Sequence, residues 1–264
     1  MVKNIEIGCL YDKKSEDSYT AFQKLKLQYN LKEFNLQSIE GYQVIITLGG
    51  DGAMLKTLHI TKNFKVPIFG MNRGSIGFLL NEYNSKNLVN RIKNSQDVIL
   101  SPLKIHVTTN DHTIITKHAF NEVSLLRETN QIAKMIILID DVIRMDALYS
   151  DGIIISTPAG STAYNLAAHG PILPMSANIL AMTPISPFRP RRWYGALLPH
   201  SSNIKLKILE SNKRPVSLVA DCHKIRDIQL VEIFLDFSIK KRILFDKKQN
   251  LSERIINEQF YKQE

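Results

Sequence analysis

The sequence predicts a chain of two parts, a parallel α/β part over residues 1–100 and an antiparallel β-rich part over 101–245. Three observations lead there. Up to residue 100, short apolar runs alternate with longer amphipathic stretches, as in a parallel sheet with helices packed on it. Beyond it, strand-length runs follow each other closely with one helical interruption, the signature of packed antiparallel sheets. With 264 residues, 44% hydrophobic and 22% charged, the chain has the composition of a folded soluble protein and the length of one large or two modest domains.

Taken in order, "IEIGCLY" (5–11) reads as a strand, 15–30 as a helix, "YQVIITL" (42–48) as a strand, 53–62 as a helix, "VPIFGM" (66–71) as a strand and 85–94 as a helix. This is a Rossmann-like βα alternation. The later strands fall at 103–109, 113–118, 120–126, 134–140, 142–146, 152–156, 204–209, 216–220, 227–235 and 237–245, a sandwich-like set broken by a helix starting near 161. The end, "LSERIINEQFYKQE", returns to a helical period.

Charge and cysteine content narrow the function. The net charge of +9 comes from scattered basic residues, with knots at 189–192, 240–242 and 246–248 that are interrupted by proline or acids. Such scatter argues against a nucleic-acid face and suits attraction of anionic metabolites. Two cysteines, Cys9 and Cys222, with no CxxC spacing offer neither a disulfide framework nor a zinc site and suit a reducing cytoplasm. No membrane span or signal-peptide pattern is expected.

"LGGDGAMLK" (48–56) places Gly49, Gly50, Asp51 and Gly52 where a buried strand turns into a helix. Glycines at such a corner let the backbone approach a ligand, and a helix N-terminus offers N–H groups to phosphate. The spacing is neither GxGxxG nor a Walker A loop. Asp51 is the unexpected member, and from the residues alone it is either a helix N-cap or a general base. "SDGIIISTPAGSTAYNLAAHGPIL" (150–173) runs from a turn through a buried strand into hydroxyls, small residues and a tyrosine. That combination suits a nucleoside, and a Ser/Thr-capped helix after a Pro-Ala-Gly turn explains it as well.

The stretches "LGGDGAML" (48–55), "NRGSIGFL" (72–79), "NEVSL" (121–125) and "SDGIIISTPAGSTAY" (150–164), in this order and spacing, resemble the NAD kinase family. The GGDG element is shared with diacylglycerol and sphingosine kinases and 6-phosphofructokinases; the STPAGSTAY run with the Asn-Glu pair is the more specific part. The resemblance covers most of the chain and is thinnest over the first 40 and last 20 residues. It implies that the chain end, 246–264, returns to the first domain, and that 101–245 is the NAD-binding domain.

By the same resemblance the protein transfers the terminal phosphoryl group of ATP or polyphosphate to the adenosine ribose 2′-hydroxyl of NAD. Asp51 is then the catalytic base, flanked by Gly52, with Gly49 and Gly50 forming the phosphate loop and Lys56 near phosphate. Asn121 and Glu122 hold the nucleotide, and Asp151 accepts from the nicotinamide carboxamide. Ala159, Thr162, Ala163, Tyr164, Asn165, Leu166 and Ala167 line the dinucleotide pocket, and Asp221 contacts NAD. Mg²⁺ is the expected cofactor, with its ligands unassigned, and a homodimer or homotetramer built through the β-rich domain is the expected assembly.

Some residues depart from the family pattern. Ala53 replaces a hydroxyl or amide residue, Tyr149 takes a position that is often basic, and "SPFRPRRWYGALLP" (186–199) carries extra Arg and Trp. Arg189, Arg191 and Arg192 are expected in a solvated loop or a subunit contact, and His169 and His223 lack partners at metal-ligand spacing. Two other classes fit parts of the pattern: a lipid kinase, against which the hydroxyl-rich 156–165 segment argues, and a non-catalytic nucleotide sensor, against which Asp51 argues.

Overall fold

A computed structural model describes residues 6–75, 77–247 and 260. The chain forms two compact units, one holding residues up to Leu100 and the segment from Ser238, the other Ser101–Phe237.

In the first unit the elements are β1 (Ile7–Tyr11), α1 (Glu16–Tyr29), β2 (Lys32–Glu33), β3 (Val44–Gly49), α2 (Asp51–Thr61), β4 (Ile68–Asn72), β5 (Asn81–Glu82), α3 (Leu88–Lys93) and β6 (Gln96–Leu100). They are joined by the late strand Lys241–Phe245, labelled β19 to follow the strands of the second unit. The sheet order is β2-β1-β3-β4-β19-β6, with β5 also paired to β4. Every pairing is parallel except β19 with β6. All six residues of β3 are buried, because a central parallel strand is covered on both faces.

Helix α1 buries Ser18, Ala21, Phe22 and Leu25, one stripe of a 3.6-residue period. Ser15 caps it by accepting from Ser18 N–H, and Asn30 closes it in the left-handed conformation. On α2 the buried stripe is Met54, Thr57, Leu58 and Thr61, and Thr57 Oγ1 lies 3.0 Å from Thr47 Oγ1 of β3.

The second unit contains β7 (Leu103–Thr109), β8 (Ile114–Ala119), β9 (Glu122–Arg127), β10 (Ala133–Ile139), β11 (Val142–Ser150), β12 (Gly152–Ser156), α4 (Tyr164–Ala167), β13 (Ile179–Ile185), β14 (Ala196–Pro199), β15 (Ile204–Ile208), β16 (Val216–Ala220), β17 (His223–Ile225) and β18 (Ile228–Leu235). Two six-stranded sheets result, β11-β10-β15-β18-β7-β8 and β14-β13-β12-β9-β16-β17. Strands β7 and β10 alternate buried and half-buried residues, and their inward side chains, Leu103, Ile105, Met135 and Ile137, share one core with Val123, Leu125, Ile153 and Leu218 of the other sheet. The fold class is therefore α/β followed by a β sandwich, as the two sequence styles predict.

The structure differs from the sequence reading in several places. The run 237–245, read as a strand of the β-rich part, supplies β19 to the first unit, so the boundary falls at 237 rather than 245. Its Ile243 pairs in parallel with Ile68, a long-range partner that no local pattern reveals. The helix expected from 161 shrinks to the four residues of α4, because Ser161 and Asn165 spend their side chains on the surrounding loop. Strands β13 and β14 fall between 157 and 203, where no strand was expected. Most of the 246–264 segment lies outside the described residues. No helix among the described residues is long and apolar enough to cross a membrane.

Candidate active site

Asp51 sits at the strand-to-helix corner of the first unit, as the first residue of α2. Gly50 occupies the N-cap position and there is no side-chain cap hydrogen bond, so the N-cap reading of Asp51 is ruled out. Its carboxylate turns instead to the 72–79 segment, where Oδ2 accepts from Phe78 N–H at 3.0 Å and Oδ1 from Leu79 N–H at 3.0 Å. The same segment is tied to the corner by Arg73 N–H donating to Gly49 O at 2.9 Å. Gly49 has φ 156°, and a Cβ there would meet Ala53 Cβ at 2.6 Å, so glycine is required at 49. At Gly50 and Gly52 a Cβ would meet nothing within 4 Å, so their smallness leaves space rather than fits a neighbour. Lys56 is exposed on α2, turned about 140° round the helix from Asp51 by the 3.6-residue period.

In the second unit the Asn-Glu pair forms the bend that opens β9. Thr157 N–H donates to Asn121 O at 2.9 Å and Thr157 Oγ1 to Phe120 O at 2.7 Å. Gly160 lies so close that a Cβ would meet Asn121 O at 2.3 Å, which makes glycine obligatory there. The STPAG segment is thus the wall against which the Asn-Glu bend is pressed. From the other side, the Asp221 carboxylate accepts from the backbone N–H groups of Phe120, Asn121 and Glu122 at 2.7, 3.0 and 3.4 Å. Asn121 Oδ1 and Glu122 Oε2 are buried and make no hydrogen bond among the described residues. Burial first, and the Asp221 charge second, push the Glu122 carboxyl up to about 7.

The residues from 159 to 167 divide between scaffold and surface. Asn165 is fully buried and its amide is engaged: Nδ2 donates to Pro171 O at 2.9 Å and Ser161 O at 3.3 Å, and Oδ1 accepts from Thr183 Oγ1 at 2.7 Å. Its side chain braces the loop. Ala159 is buried, Thr162, Ala163 and Leu166 are half-buried, and Tyr164 and Ala167 are exposed. Asp151 follows the edge strand β11 and its Oδ1 accepts from Arg127 Nε at 2.6 Å, so this carboxylate already holds a cation. Arg189 accepts at its backbone O from Tyr149 N–H at 2.8 Å, and the Arg189 and Arg191 guanidinium groups lie over the Phe188 ring. Among the described residues no three His, Cys, Asp or Glu side chains cluster as a metal site.

Sequence reasoning did not single out Phe78, Leu79, Thr157 or Arg127. The first two act through backbone N–H groups, which have no side-chain signature, although the "NRGSIGFL" segment that carries them had been noticed.

Comparison with known proteins decides the family. Residues 3–96 match the model of the ATP-NAD kinase N-terminal domain and 120–234 that of the ATP-NAD kinase C-terminal domain. The chain belongs to the NAD kinase family. The NAD kinase of Caulobacter vibrioides is 51% identical over 221 residues, covering 84% of this chain and 85% of its own. That of Rhizobium meliloti is 49% identical over 217 residues, covering 82% and 84%. Among solved structures, yeast NADH kinase complexed with NADH matches with a TM-score of 0.85 at 22% identity, covering 98% of this chain and 88% of that one. An NAD kinase from Archaeoglobus fulgidus in complex with ATP matches with a TM-score of 0.76 at 21% identity, covering 96% and 98%. These two share the fold; the closer relatives make this NAD kinase a phosphotransferase.

Proposed function

We propose that this NAD kinase uses ATP to phosphorylate the adenosine ribose 2′-hydroxyl of NAD, with Asp51 as general base. The observation that carries the reading is the Asp51 carboxylate, which is not spent on capping its helix and is held in place by Phe78 and Leu79 N–H beside two glycines that leave open space. In the reaction the 2′-O–H proton passes to Asp51, the 2′-oxygen forms its bond to the terminal phosphorus, and the bond from that phosphorus to the ADP oxygen breaks. An alcohol needs such a base, whereas the phosphoryl group needs mainly positioning and charge neutralisation. Asn121 and Glu122 hold the nucleotide, as their buried unpartnered oxygens suggest. Tyr164, 38% exposed, offers a ring for stacking.

With no cluster of three His, Cys, Asp or Glu among the described residues, the donor set would suit a Mg²⁺ carried in by the nucleotide, an ion that keeps phosphate and water ligands and asks for few carboxylates from the protein. When bound, Mg²⁺ neutralises phosphate charge near Asp51. Polyphosphate is the second donor to test, and the cytoplasm, where cysteines stay reduced, is the setting that completes the reading. A homo-oligomer built through the β-rich unit is supported by Val142, Ile143 and Leu197, exposed on the edge strands β11 and β14; light scattering of purified protein should give a dimer or tetramer mass.

The test is NADP formation from NAD, Mg²⁺ and either ATP or polyphosphate, read with a dehydrogenase that requires NADP. Asp51→Asn should lower kcat by about 10³-fold while leaving the NAD KM within about threefold. Near-normal turnover in that variant would remove Asp51 from the chemistry.

A further inference from the structure

Asp221 was expected to touch the dinucleotide, yet its carboxylate is directed at the backbone. It gathers three consecutive N–H groups, those of Phe120, Asn121 and Glu122, while its own N–H donates to Glu122 O at 3.2 Å. Its φ of 49° lies in the left-handed region, which Asp, Asn and Gly enter more readily than other residues. Three N–H groups converging on one carboxylate impose a sharp bend, and Thr157 and Gly160 close that bend from the opposite side. The outcome is a pair of side chains with buried oxygens, Asn121 Oδ1 and Glu122 Oε2, left without a hydrogen bond among the described residues.

We propose that Asp221 is a positioning residue for nucleotide recognition: its carboxylate fixes the bend that presents Asn121 and Glu122, and it makes no contact with the nucleotide itself. This rests on the NAD kinase reading above. Charge adds a second effect. The cross-strand neighbour of Glu122 on β12 is the neutral Ser156, and on the β16 side it is Asp221, so Asp221 is the charge that acts on it. With its carboxyl near 7, Glu122 is divided at neutral pH between a form that only accepts hydrogen bonds and one that also donates.

Two substitutions separate geometry from charge, read by calorimetric titration of the full chain with NAD and by steady-state kinetics. Asp221→Gly retains access to the left-handed backbone and deletes the carboxylate. It should weaken NAD binding about tenfold or more, while kcat at saturating NAD stays within about threefold. Asp221→Asn keeps one acceptor oxygen for the Asn121 and Glu122 N–H groups, loses the oxygen that takes Phe120 N–H, and removes the charge. It should weaken binding less than Asp221→Gly does and move the pH midpoint of NAD binding about one unit toward acid, because a like charge no longer opposes ionisation of Glu122. In a Glu122→Gln background the same Asn substitution should move no midpoint. Unchanged NAD binding in Asp221→Gly, or equal losses from Gly and Asn with no pH shift, would overturn the proposal. If Asp221→Gly fails to fold, the Asn variant and its pH shift decide alone. Wild-type protein that neither binds NAD nor forms NADP overturns the underlying reading, whereas active wild type with an indifferent Asp221→Gly overturns this proposal only.

Discussion

Two charged side chains among the described residues, fully buried Lys241 in the first unit and half-buried Glu122 in the second, are both shifted by burial and are treated in opposite ways. Lys241, on the late strand of the first unit, has no exposed surface, and its ammonium donates to Thr61, Phe64 and Val66 carbonyls at 2.9, 2.7 and 3.2 Å. Three donors meet three acceptors at the end of α2, where carbonyl groups lack helical partners. Burial pulls the lysine down to about 8, and its hydrogen bonds are nevertheless complete. Glu122, in the second unit, is pushed up to about 7 and one of its buried oxygens has no partner among the described residues. A buried group that is satisfied internally holds architecture together. One left unsatisfied costs stability and makes sense where another molecule supplies the missing partner.

That contrast can be broken most forcefully at Lys241. Lys241→Met should take the ammonium from the Phe64 and Val66 carbonyls, Thr61 O keeping Phe64 N–H, and cost about 3 kcal/mol, read as a fall in Tm of roughly 10 °C. A Tm unchanged from wild type would mean that water or a rearranged loop serves those carbonyls equally well.

Glu122→Gln should act in the opposite direction, with a dependence on pH. The folded-state value of about 7 lies above the ordinary 4.5, so the folded form retains a proton that the unfolded chain has lost, and stability falls as pH rises from 4.5 through 7. Replacing the acid should therefore gain about 2 kcal/mol at pH 8 and nothing at pH 4, with NAD binding weakened at both. Equal stability of the two proteins in melts at pH 8 would sink the idea that Glu122 is strained.

A smaller effect is expected at its neighbour. Asn121→Leu removes a buried oxygen that has no hydrogen bond and should change stability by less than about 1 kcal/mol, while the NAD KM rises about tenfold or more. The smallest change should come from Arg127→Met. The Arg127–Asp151 pair is about one-third exposed on both sides and should contribute at most about 0.5 kcal/mol, an amount that disappears in denaturant titrations at 1 M salt.

Much of the molecule was legible beforehand where the information is local. The β-branched run 44–48 could only be a buried strand, and the stripe Ala21, Phe22, Leu25 could only be one face of a helix, since periodicity states burial directly. The corner holding Asp51 was also legible, because glycines between a strand and a helix have few other uses. What stayed hidden depends on partners far along the chain. Nothing near residue 243 says that it will pair with Ile68, and nothing near Asp221 says that its carboxylate will reach back about one hundred positions to Phe120. Asn165 shows the same limit from the other side: its place in the motif suggested a ligand contact, and Pro171 and Thr183 had already taken its amide.

The sequence by itself determined the class of fold, the order of its two parts and the family, because hydrophobic period and motif spacing are properties of neighbouring residues. Tertiary structure alone decided which polar residues of those motifs find a hydrogen-bond partner within the fold. A hydrogen bond is spent once its partner is in place, and that partner is chosen by the fold. Asp51 was thereby turned to Phe78 and Leu79, Asn165 and Asp221 were drawn into the scaffold, and Asn121 and Glu122 were each left with an oxygen that no described residue satisfies.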